Sequence, residues 1–265
     1  MKLSGIVAAI SMAATGVYGY PSHPSYPQGV DKFPTTYVGG VKVIDTQLVR
    51  DARKVIKDFD GFLYKHSMRT WLFGAAAINA NETLSKTIDI EMHAIATVLH
   101  DLGWDMTPNS PHVSTDHRFE VDGALGATKF IKEYKGKLGS KWDEARLNSL
   151  HDSIALHGSP GLNVGKNINV QHALASIAFD NPGARDPAIP EKEYNSVLAE
   201  FPGDDIGYGT NLTWVWLAQT KPLATYNTIV EPFGVAYVPG YNASAHRIFN
   251  LLNPQYVGSG DVSTS

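Results

Sequence analysis

The stretch Thr87–Trp104, TIDIEMHAIATVLHDLGW, places Ile88, Ile90, Met92, Ile95, Val98, Leu99 and Leu102 at spacings near three and four. That periodicity predicts a mostly buried helix, with Gly103 where a left-handed cap commonly ends one. His100 and Asp101 then fall together in the last turn of an apolar helix. Burying an adjacent imidazole and carboxylate is costly unless something pairs with them, and a divalent metal satisfies both at once. The plainer alternative has His100 ending the helix and Asp101 facing water.

Periodicity elsewhere predicts helices over 45–59 with Asp45 as N-cap, 62–78, 119–134 with Asp116 as cap, 142–157 and 170–180. Shorter ones follow over 191–200, 213–219 and 244–252. β-Branched alternation is scarce, so the expected fold class is all-α. Residues 105–115 hold two prolines and read as a loop, and residues 20–44 as an extended segment over the surface. A chain of 265 residues can bury one substantial core, and a single helical domain over 45–255 accounts for the pattern.

The N-terminus reads as a signal peptide over residues 1–19: Lys2, an apolar run Ile6–Val17, then small residues near Gly19. The run is too short to span a bilayer. Three N-x-[ST] sequons, at Asn81, Asn211 and Asn242, fit a secreted or other secretory-pathway glycoprotein. The net charge of −4 gives no electrostatic case for nucleic acid or an anionic membrane. The chain contains no cysteine, which removes thiolate metal sites, cysteine nucleophiles and disulfides. Any metal must therefore be held by His and carboxylate, a donor set suited to Zn, Fe, Mn or Ni.

On this helix reading His66 lies in the first half of one helix, His100 and Asp101 end another, and Asp180 closes a third. A metal site would take His66, His100, Asp101 and Asp180 as ligands within a bundle, leaving a position for an activated water. The order His…His-Asp…Asp on helices resembles the HD-domain superfamily of metal-dependent enzymes. The local strings HSMRTWLFG (66–74), HDLGW (100–104), RFEVDGA (118–124), ALHGSPG (155–161) and FDNPG (179–183) resemble its fungal cyanamide hydratase branch.

The resemblance covers roughly residues 45–185. It implies an HD-type helical bundle with one Zn ion on the four ligands, and a hydro-lyase that adds water across the C≡N bond of cyanamide to give urea. The substrate class would be cyanamide or a related small nitrile or isonitrile, attacked by a metal-bound hydroxide. Charge developing on nitrogen needs a proton donor and hydrogen bonds, and Glu120 and His157 are the candidates. Two departures stand out. Cyanamide hydratases are expected inside the cell, whereas this chain carries an export signal, and nothing beyond residue 190 matches.

A phosphohydrolase on the same scaffold is the first alternative, with Arg69, Arg118 and Lys129 as candidate anion contacts. Against it, Gly103-Trp104 follow the HD pair, a bulky apolar wall suited to a small neutral substrate, and no Walker pattern occurs. A non-catalytic secreted binding protein is the second. A serine hydrolase has neither its G-x-S-x-G elbow nor its strands. Among the other histidines, His93 reads as a hydrogen-bonded core residue or a neighbour of the site. His112 and His117 would line an entrance, with His117 a candidate for a second metal. His151 reads as packing and His172 as structural, while His23 and His246 lie outside the matched region. Asp122 is expected to pair with Arg118 or touch substrate, Asp105 to start the loop, and Asp152 and Asp186 to be solvated.

Overall fold

A computed structural model describes residues 32–59, 61–136, 141–181 and 184–254. The signal-peptide reading and His23 lie outside these. The described residues form eleven α-helices and one two-stranded sheet, so the fold is mostly helical as expected.

The sheet departs from the extended-tail expectation. Strands β1 (Thr35–Val38) and β2 (Val41–Ile44) pair antiparallel across Gly39-Gly40. Both glycines have positive φ, 53° and 75°, as a tight hairpin turn requires. Val41, Val43 and Ile44 are buried, so β2 belongs to the core and does not simply lie on the surface.

Helix α1 (Gln47–Lys57) is capped by Thr46, whose hydroxyl accepts from Val49 N, one residue later than expected. Helices α2 (Gly61–Ala80) and α4 (Ile90–Leu99) are buried almost all round, as central helices must be. Between them lies the short exposed α3 (Glu82–Thr87), and a 3-10 turn, Leu102–Trp104, ends the α4 segment. Asp89 caps α4 through Met92 N and receives two bonds from Arg146, at 2.6 and 2.7 Å. Arg146 sits on α6 (Glu144–Ala155), and this buried ion pair ties α6 to the start of α4.

Helix α5 (Phe119–Lys132) begins after Arg118 with no side-chain cap, so Asp116 does not serve as one. Helices α7 (Ile168–Ala178) and α8 (Glu191–Glu200) follow. Around α4 pack α1, α2, α5, α6 and α7. Gly123 makes the α5 contact possible, because a Cβ there would lie 2.2 Å from the carbonyl oxygen of His100.

The C-terminal third is more helical than its sequence suggests. Helix α9 spans Ile206–Thr220, not only 213–219, and α10 (Glu231–Tyr237) has no counterpart in the sequence reading. The last segment divides into a 3-10 turn at Ser244–His246 and α11 (Ile248–Leu252). Leu217, Ala218 and Val230 build a second apolar cluster with Phe62, Leu63, Trp104 and Phe119. None of the helices among the described residues is long and apolar enough to cross a membrane.

Candidate metal centre

His66 projects from α2, His100 and Asp101 from the end of α4, and His157 from the turn after α6. His66, His100 and Asp101 are buried, and the His157 side chain is 7 % exposed. Each imidazole has its Nδ1 engaged. His100 Nδ1 donates to the carbonyl of Thr97 at 2.8 Å, and His157 Nδ1 to that of Ile154 at 2.6 Å. His66 Nδ1 donates to Asp180 Oδ2 at 2.6 Å. With the proton fixed on Nδ1, the neutral ring offers a lone pair at Nε2.

These Nε2 atoms converge on Asp101. Its Oδ2 lies 3.1 Å from His100 Nε2 and 3.4 Å from His66 Nε2, and its Oδ1 lies 3.4 Å from His157 Nε2. The two Nε2 atoms of His66 and His100 are only 3.1 Å apart. Neither Asp101 oxygen has a hydrogen bond, although both are buried. Nitrogens at this separation, facing a buried carboxylate, call for positive charge among them, either a proton on a ring or a metal ion. His66, His100 and Asp101 thus form a group able to hold a metal ion.

The electrostatics point the same way. Burial pulls His66 down, but the carboxylates of Asp101 and Asp180 outweigh it and raise its pKa to about 9. Burial likewise opposes charge on His157, yet Asp101 and Glu120 lift it above the ordinary imidazole range. Burial wins at His100, which is lowered. Burial works against the Asp101 charge, but the surrounding imidazoles hold its pKa well below the usual carboxylate range. The carboxylates thus favour positive charge on His66 and His157.

Asp180 stands one imidazole away from this group. Both its oxygens are occupied, Oδ1 by Arg69 Nε at 2.6 Å and Oδ2 by Arg69 Nη2 at 2.8 Å and His66 Nδ1. It meets the Nδ1 edge of the His66 ring, opposite the Nε2 edge that faces Asp101; the sequence order makes it an expected ligand. Arg69 is fully buried and also donates to the carbonyl of Pro202 at 2.7 Å, which fixes the arrangement against the chain after α8. From sequence alone Arg69 is an expected anion contact. Its spacing of three from His66 on one helix face was the available signal.

Glu120 is fully buried on α5, against Gly158 and close enough to act on His157. Its Oε1 accepts from Arg118 Nη2 at 2.6 Å. The side chain is therefore held as a hydrogen-bond acceptor, which fits positioning better than proton donation. Trp104 forms the expected wall, stacked on His66 with ring centroids 5.9 Å apart and planes 11° from parallel.

The remaining candidates fall elsewhere. His93 is a core histidine, its Nε2 3.0 Å from Ser176 Oγ and its ring against His172. His117 lies 3.5 Å from Asp122 and is half exposed, and among the described residues no group of three possible metal ligands includes it. Asp122 pairs with the buried Lys221 at 2.5 Å, not with Arg118, because α9 delivers a lysine that sequence spacing could not anticipate. His151 sits 3.7 Å from Asp152, and Asp152 is bonded by Lys166 at 2.7 Å. His112 is half buried against Phe59. No known family model matches this chain, and neither does any curated protein.

Proposed function

We propose that this protein is a metal-dependent hydro-lyase on an HD-type bundle, adding water to a small C≡N substrate such as cyanamide. The observation carrying this reading is the convergence of three imidazole Nε2 atoms on a buried carboxylate that nothing else hydrogen-bonds. Hard and borderline cations with nitrogen and oxygen preferences suit this donor set, Zn, Fe and Mn among them. His66, His100 and Asp101 would hold the ion, with Asp180 and Arg69 setting the His66 ring from behind. A divalent metal held there would supply a Lewis acid and bring the pKa of water towards neutrality.

The chain's own groups account for the rest. As oxygen adds to the nitrile carbon, one C–N π bond becomes a lone pair on nitrogen and must be protonated. What supports His157 as the donor is that its Nδ1 is tied to the Ile154 carbonyl, which leaves Nε2 to exchange a proton in the site. Glu120, locked by Arg118, lies against the turn that carries His157 and favours its protonated form. Trp104, Phe119 and Phe62 keep that side of the site apolar.

Phosphohydrolysis is less well supported, because Arg69 and Arg118 are spent on Asp180 and Glu120. The test is elemental analysis of purified protein beside urea release from cyanamide. One equivalent of metal with urea formation is the expected result. Metal without turnover of any nitrile or isonitrile would overturn the reaction, and a protein free of metal would overturn the site and favour a binding protein.

A further inference from the structure

Outside the metal cluster, a cavity of about 270 Å³ is lined by Phe59, Leu63, Trp104, Asp105, Met106 and Thr107. Its lining is apolar and polar in about equal parts, and one wall is a carboxylate. Asp105 is only 7 % exposed. One of its oxygens accepts from Thr107 N at 3.0 Å, and among the described residues no Lys, Arg or His forms an ion pair with it. Burial and Lys129 hold the His112 imidazole below its ordinary range against the pull of the Asp105 charge. A nearly buried carboxylate at a partly apolar cavity, with no cationic side chain paired to it, favours a cation there.

The same cavity offers an aromatic wall in Trp104, and an indole attracts cations as well as apolar groups. Its volume lies at the small end of ligand pockets, room for about nine waters or one compact organic molecule. An anion would be repelled, and a neutral apolar molecule would strip water from Asp105 without replacing it. We infer that this cavity is a binding site for a small organic ammonium group carried on an apolar body. Trp104 lines the cavity and stacks on His66, so one indole joins it to the metal cluster. Treating the ammonium end as the non-reacting part of the substrate rests on the hydratase reading, whereas binding itself does not.

The test uses benzylammonium and its neutral counterpart benzyl alcohol, titrated calorimetrically into the full protein at neutral pH. Benzylammonium is expected to bind at least about tenfold more tightly, with affinity falling as salt is raised. Asp105→Asn should erase that preference with metal content unchanged, and Met106→Trp, which fills the cavity and leaves the charge, should weaken both ligands. Equal binding of the two probes, or a preference that survives Asp105→Asn or the filled cavity, overturns the site. Cation binding without nitrile turnover would retain this site and remove the hydratase reading. Turnover without cation preference would do the reverse.

Discussion

Gly158 follows His157 in the turn that leaves α6, and a Cβ there would lie 2.1 Å from Glu120 Oε1 and 2.9 Å from its Cδ. Glu120 has little freedom to retreat, being fully buried and held by Arg118 at 2.6 Å. Restoring van der Waals separation requires its carboxylate to move by more than about 1 Å. Gly158→Ala should therefore cost about 1–3 kcal/mol, the range for overpacking a filled site. For a chain of this size that lowers the melting temperature by roughly 2–10 °C. A displacement of that size beside His157 should also slow turnover about 100-fold, with metal content unchanged. Thermal unfolding of Gly158→Ala is best compared in wild-type and Glu120→Ala backgrounds, because removing the carboxylate removes the obstacle. An unaltered melting temperature in the first background, or an equal drop in both, would refute the packing argument.

Asp180→Asn should retain one metal at saturation while affinity falls about 10- to 100-fold, as for a group that orients a ligand; complete loss of metal would make Asp180 a direct ligand. Asp101→Asn, by contrast, should leave the purified protein without metal by elemental analysis. His172 is a buried histidine whose pKa burial lowers to about 4 from 6.5. The unfolded chain takes up that proton first, so this contribution is complete above pH 6.5 and is lost as pH falls towards 4, by about 3 kcal/mol in all. Urea unfolding from pH 7 to 4 should show a shallower slope in His172→Gln than in wild type; identical slopes would remove His172 from the account. Asn211 lies within α9 and its sequon partner Thr213 is fully buried, whereas Asn81 and Asn242 are exposed. Peptide mapping after expression through a eukaryotic secretory pathway should find glycan at the exposed positions and none at Asn211.

The helical class was legible because α2 and α4 repeat their apolar residues at helical spacing, and burial of such segments follows from their composition. His100 and Asp101 were legible for a related reason, as two costly polar groups at the end of an apolar helix. The hairpin carried its own signal in the Gly39-Gly40 pair between β-branched residues, hidden by the proline-rich stretch before it. Helix α10 carried none strong enough, since Glu231–Tyr237 is too short for a period to show.

The chain by itself determined which groups are available: imidazoles and carboxylates, no thiol, and a helical frame to bury them. Only the tertiary structure decided their roles. The sequence offers Asp180 as a ligand and His157 as a proton donor, but packing gives Asp180 to Arg69 and His66 Nδ1 and turns His157 Nε2 towards Asp101. Likewise Asp122 found Lys221, ninety-nine residues away, instead of a neighbour on its own helix. Local spacing specifies which face of a helix a residue occupies, but hydrogen-bond partners are set by which helices meet there, and those contacts span distances along the chain that no periodicity records.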